Sequence, residues 1–296
     1  MIAVIGATGN TGRKITQALL EAGEEVRVLG RSKTKLAEFK SAGAEVLTGD
    51  VGDGDFLNKA LRGADAVYSL LPTDRRASDY QDRQRQQGEA IATALRECAI
   101  SHVVALSSLG ADQSGAMGLI DTLHEQEERL KRLERANVLL LRPASFFENF
   151  RDTLVPISQQ GVSVDSVAPD LPIPMVATRD IADVAAGALR TRNFSGMMVR
   201  ELLGPRDLSY ADATRILGKC LGKPQVEYVQ LSDAGMAWAL MQAGFSESFA
   251  NLYVQMTRAF NEGRVKPRKG RTSENTTPTP FEDFADELAR SYRAAA

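Results

Sequence analysis

The chain has 296 residues, 43% of them hydrophobic and 25% charged, which excludes a disordered chain and reaches the upper range of what one core supports. A net charge of −2 excludes the basic footprint of a nucleic-acid or anionic-membrane binder, and no apolar run is as long as a membrane span. Two cysteines, Cys98 and Cys220, suit a reducing cytoplasm and offer no disulfide framework or cysteine-rich metal site.

In chain order, the first half alternates two patterns. Short apolar runs at 2–5, 26–29, 45–47, 66–71, 103–106 and 138–141 predict six strands. Between them, helical periodicity covers 11–21, 33–41, 55–61, 80–97 and 119–135. That alternation predicts an α/β fold, a Rossmann-type doubly wound parallel sheet. The chain opens on a buried-strand pattern with no basic stretch before it, so no signal peptide is expected.

After Asn149 the rhythm changes. Pro169, Pro172 and Pro174 precede a helix beginning near Arg179, then a strand at 197–202 and a helix that Ser209 can cap, running to Leu221. Segments 233–243 and 247–261 are helical, the tract "KPRKGRTSENTTPTP" reads as a loop, and a last helix covers 281–292. The expected division is a dinucleotide-binding domain over 1–155 and a smaller, mostly helical lobe over 156–296, partly interleaved with it.

The stretch "VIGATGNTGRKI" carries the first chemistry. A strand ending at Ile5 leads into a helix near Thr11. Gly6 permits the tight turn, Gly9 lets backbone approach a pyrophosphate, and Gly12 lets the helix pack closely on the strand. Free amides and the helix dipole favour phosphate there, and Thr8, Asn10 and Thr11 add donors. The tip of the second strand has no acid for a ribose 2′-hydroxyl. It has Arg31 and Lys35, whose charges suit a 2′-phosphate, so the cofactor expected is NADP(H). Asp50 and Val51 in "TGDV" end the third strand, where Asp50 can accept from the adenine amino group. Leu70, Leu71 and Pro72 in "SLLP" can wall the adenine ribose and diphosphate, and either stretch could instead be a plain strand-to-loop transition. Ser107 and Ser108 end the fifth strand beside the same pocket.

With "GATGNTG", "GRS", "TGDV", "SSLGAD", "HEQEE" and "RPASFFENF" in place, the sequence resembles the NmrA-like branch of the atypical short-chain dehydrogenase/reductase superfamily. That branch includes NADPH-dependent quinone, azo-dye and triphenylmethane-dye reductases. The resemblance implies that Gly6, Thr8, Gly9, Asn10, Thr11, Gly12, Arg31, Lys35, Asp50, Leu71 and Pro72 line the dinucleotide. It also implies that Pro143, Ala144 and Phe146 pass near the nicotinamide. One departure matters: the superfamily's YxxxK pair is missing, because no tyrosine lies between Tyr80 and Tyr210. By spacing, Ile120 takes the tyrosine position and His124 the lysine position.

Hydride transfer needs alignment, whereas a simple ketone also needs a proton on its developing alkoxide. Quinone-like acceptors delocalise the charge and a dye cation is neutralised outright, so loss of the tyrosine disfavours only the ketone. His124 could orient the nicotinamide ribose, supply a proton, or simply lie on the polar face of a charged helix. Phe146, Phe147, Phe150, Met236, Trp238 and Met241 could form an acceptor cleft or be core, and Asn149 could be its polar handle. No metal site is expected: "HEQEE" has Glu128 where a zinc protease needs its second histidine. The leading expectation is an NADPH-dependent reductase of quinone-like or other conjugated small-molecule acceptors. The rival is a non-enzymatic NADP(H) redox sensor with a regulatory protein partner; a homo-oligomer is compatible with either.

Overall fold

The computed structural model describes residues 1–295. Strand β1 (Ile2–Ile5) is buried along its whole length and feeds helix α1 (Asn10–Glu21). The alternation continues through β2 (Val26–Gly30), α2 (Lys33–Ser41), β3 (Glu45–Thr48), α3 (Gly54–Leu61), β4 (Ala66–Ser69), α4 (Tyr80–Glu97), β5 (His102–Leu106), α5 (Leu119–Leu130) and β6 (Asn137–Pro143). Helices α2, α3 and α4 start where the side chains of Ser32, Asp53 and Asp79 accept from amides in the first turn.

Beyond β6 the chain forms β7 (Ser145–Phe146), a 3-10 segment at Phe147–Thr153, α6 (Leu154–Gln160), β8 (Val162–Asp165) and β9 (Ile173–Val176). It then returns to the first layer. Helix α7 (Thr178–Thr191) packs on α1, and β10 (Met197–Leu202) pairs in parallel with β6, Met197 opposite Val138. The remainder is β11 (Asp207–Leu208), α8 (Tyr210–Cys220), β12 (Glu227–Gln230), α9 (Asp233–Gln242), α10 (Glu247–Asn261) and α11 (Phe281–Ala295).

The main sheet has seven parallel strands in the order β10-β6-β5-β4-β1-β2-β3, a doubly wound order that reverses direction between β1 and β4. The six expected strands are all present, and β10 is the seventh. Ile15, Leu19, Ile181 and Leu189 fill one face; Leu57, Leu61, Ile91 and Leu95 fill the other. The second lobe has its own core around Phe147, Phe150, Phe281 and Phe284. It also contains two small sheets, β11-β9-β7 and β12-β8. The basic tract is fastened down: Arg268 reaches Asp112 in the loop after β5, Arg264 just before the tract reaches Gly115 in the same loop, and Thr277 N donates to Leu203 O at 2.7 Å. Among the described residues, no helix is long and apolar enough to cross a membrane.

Candidate functional site

The strands of the main sheet all end on one side, and a cleft of about 1380 Å³ opens there between the sheet and the second lobe. Gly6 turns the chain out of β1 with φ +73°, a conformation that glycine adopts without strain. Gly12 then lets α1 lie against that turn, since a Cβ there would stand 2.3 Å from Gly6 O. The α1 N-terminus has no side-chain cap and no acidic residue in its first turn, unlike α2, α3 and α4. Its free amides face the cleft, as an anion site requires. Tyr68 OH donates to Thr11 Oγ1 at 2.9 Å, which leaves the Thr11 hydroxyl proton for a ligand.

Of the expected cofactor contacts, Gly6, Thr8, Gly9, Asn10, Thr11, Arg31, Asp50, Val51, Leu70, Leu71, Pro72, Ser107, Ser108, Pro143, Ala144 and Phe146 share the cleft wall. Gly12 lies behind it and Lys35 points elsewhere, exposed on α2. Arg31 is more than half exposed, held only by a 3.5 Å contact with Asp74. That pair is worth little, so the guanidinium is free to turn to a phosphate. Asp50 is less free than its sequence context suggests, because Arg83 Nη2 donates to both its oxygens at 2.6 Å and Gly52 N to one at 2.7 Å. Burial raises the Asp50 carboxyl, but these bonds outweigh it and hold it below its ordinary value.

The expected acceptor residues divide. Phe146, Asn149, Phe150, Met236 and Trp238 line the cleft, with Trp238 62% exposed at its mouth. Phe147 does not: it is buried against Phe281 and Phe284 in the second core. Met241 is also off the wall. Ile120 is on the wall, but His124, one turn later, is not; its Nδ1 pairs with Ala111 O at 2.8 Å. That bond makes Nδ1 the donor and fixes the loop after β5, so His124 is a brace for that loop, not a group facing the cleft.

Several residues on or behind the wall escaped the sequence. Glu127 is buried beneath Ser107 and accepts from Ser107 Oγ at 2.5 Å, Arg142 Nε at 2.8 Å and Arg142 Nη2 at 2.5 Å. Its signal was its place on the apolar face of α5, four residues after Leu123 and three before Leu130. Glu148 is buried too and caps α7, taking the Thr178 amide at 3.0 Å. This tethers "RPASFFENF" to α7, which packs on α1 in the first layer. Arg75 bridges the mouth, paired with Asp152 at 2.9 Å and lying over the Phe245 ring.

A match to the NmrA-like family runs over residues 1–285. The chain belongs to that family. It is 29% identical to the (4-alkanoyl-5-oxo-2,5-dihydrofuran-3-yl)methyl phosphate reductase of Streptomyces griseus, over 99% of each chain. Against the NAD(P)H azoreductase of Xenophilus azovorans it is 26% identical over all of this chain and 99% of the other. Its fold matches the NADPH-dependent quinone oxidoreductase QOR2 of Escherichia coli, solved with NADPH, at a TM-score of 0.82. That match has 24% identity and covers 97% of this NmrA-like chain and 99% of the other.

Proposed function

We propose that the chain is an NADPH-dependent reductase of quinone-like and other conjugated acceptors, working by direct hydride transfer. One observation carries the reading. The phosphate-ready turn at Gly6–Thr11 and the free Arg31 guanidinium open into the same cleft as the aromatic chamber of Phe146, Phe150 and Trp238. The dinucleotide would lie along β1, β2 and the loop after β4, its 2′-phosphate at Arg31 and its nicotinamide towards Pro143, Ala144 and Phe146. It supplies the hydride when bound. The chain supplies the helix amides, the Thr11 hydroxyl and an apolar chamber for a planar acceptor beside it. The azoreductase and quinone oxidoreductase relatives act on conjugated acceptors by name, which supports the same class.

The test is NADPH oxidation, followed at its absorbance band, with 1,4-naphthoquinone. Saturable turnover is expected; no turnover with it or with a panel of other quinones, azo dyes and triphenylmethane dyes, with calorimetry still showing tight NADPH binding, overturns the reductase reading in favour of a redox sensor. Arg31→Ala is expected to weaken NADPH binding about 10- to 100-fold, the value of one charge-assisted contact, while leaving NADH binding nearly unchanged. Equal effects on the two dinucleotides would remove the 2′-phosphate assignment.

A further inference from the structure

NADPH carries phosphate at two places, the diphosphate bridge and the adenosine 2′ position. Among the described residues, the cleft wall has three basic side chains, Arg31, Arg75 and Arg151. Arg31 stands at the tip of β2, where the 2′-phosphate is assigned. Arg75 is spent on the protein itself: it pairs with Asp152 at 2.9 Å and lies 5.1 Å from the centroid of the Phe245 ring. Arg151 is uncommitted. It is exposed, and the two carboxylates beside it in sequence are taken, Asp152 by Arg75 and Glu148 by Thr178. Its guanidinium reaches one partner, donating from Nη1 to Asn10 Oδ1 at 3.4 Å.

That partner is the first residue of α1, directly before Thr11 in the phosphate turn. The turn needs a cation from elsewhere, because the basic residues of α1 itself are turned away. Arg13 is paired with Glu38 and lies over the Phe39 ring, and Lys14 acts on Asp183 of α7. Helix amides and hydroxyls alone would then meet a group bearing two negative charges. The backbone under Arg151 is held firmly. Phe147 and Phe150, in the same 3-10 segment, are buried in the second-lobe core, and Glu148 is bonded to the start of α7. Only the side chain is loose, since a 3.4 Å bond is at the long end of the hydrogen-bond range and easily exchanged. A guanidinium presents a planar fork that suits two phosphate oxygens better than one amide oxygen.

We infer that Arg151 is a cofactor-binding residue that leaves Asn10 for the diphosphate when the dinucleotide binds. The inference rests on the dinucleotide placement proposed above, and it divides the work between two arginines. Arg31 recognises the phosphoryl group that distinguishes NADPH from NADH, whereas Arg151 grips the part that the two share. Arg151 also follows Phe150 of the acceptor chamber, so the segment that holds the diphosphate is the one that walls the acceptor.

The test is calorimetry of wild type, Arg151→Met and Arg31→Ala with four ligands: NADPH, NADH, ADP-ribose, which keeps the diphosphate, and 2′-AMP, which lacks it. Arg151→Met is expected to weaken NADPH, NADH and ADP-ribose alike, by about 10- to 100-fold, and to leave 2′-AMP unchanged. Arg31→Ala should give the complementary pattern, with losses on NADPH and 2′-AMP. The Arg151→Met loss should shrink as NaCl is raised, because an exposed cation is screened. The Tm of the free variant should match wild type, since the side chain is exposed and makes one long bond. Wild-type affinity of Arg151→Met for ADP-ribose overturns the proposal, as does a loss that salt does not change. Equal losses on all four ligands with a lowered Tm mean a structural role and overturn it too. Unchanged dinucleotide binding with a raised KM for 1,4-naphthoquinone-2-sulfonate gives the guanidinium to an acidic acceptor instead. None of these readings needs turnover, so a failed reductase assay leaves them intact; a wild type that binds none of the four ligands removes the cofactor placement itself.

Discussion

Glu127→Ala is expected to destabilise the protein by about 3–5 kcal/mol, the cost of leaving one half of a buried ion pair. The Glu127 side chain is 1% exposed and that of Arg142 is 6% exposed, so water cannot replace either partner. Burial lowers the Arg142 pKa, but the hydrogen bonds and charge of Glu127, with Asp112 and Glu201 behind it, overcome that and hold the guanidinium above its ordinary value. Asp112 stands 3.7 Å from Arg142 Nη1 and is shared with Arg268, so it compensates only in part. Ser107 would also lose its acceptor at the end of β5, loosening the floor of the cleft. The double variant Glu127→Leu/Arg142→Met should recover most of the loss, because matched apolar replacement of such pairs is often neutral. Urea unfolding of the two single variants and the double variant measures this directly. A single variant within about 1 kcal/mol of wild type, the value of an exposed pair, would mean that the pair is effectively solvated.

Gly12→Ala should cost stability and cofactor together. Its Cβ would meet Gly6 O at 2.3 Å and the Gly6 carbonyl carbon at 2.8 Å, both backbone atoms that move only if the phosphate turn moves. Overpacking of this kind costs about 1–3 kcal/mol, and relief by shifting α1 misplaces the amides that would hold the pyrophosphate. Gly54→Ala is the control, since its Cβ would meet nothing within 4 Å. Calorimetry with NADPH and urea midpoints for both variants separate the outcomes. If Gly12→Ala binds NADPH like wild type, the close contact is not part of the site.

What the sequence revealed followed from local chemistry. β1, β4 and β5 are buried on both faces, so their apolar runs stand out, and the glycine loop lies between two such signals. Ser209 was readable as a cap because its side chain does take the Asp212 amide, at 3.0 Å. The second lobe was less legible. β8 and β12 pair although more than sixty residues separate them, and each is only four residues long. Phe146 and Phe147 are indistinguishable as letters; the change from β7 to a 3-10 turn sends one to the cleft and the other to the lobe core. His124 had suitable spacing, but spacing does not specify which carbonyl a ring will find. Asn10 and Arg151 come from two elements 141 residues apart, and no periodicity marks their meeting.

The outermost strand of the main sheet, β10, comes from residues 197–202 and flanks β6, which is finished by residue 143. During synthesis on the ribosome, β6 therefore emerges with one ladder of amides and carbonyls open, and it stays so until the chain has wandered through the other lobe and come back. Nascent chains at that stage have a long apolar strand edge available to neighbours, the kind of surface that chaperones shield.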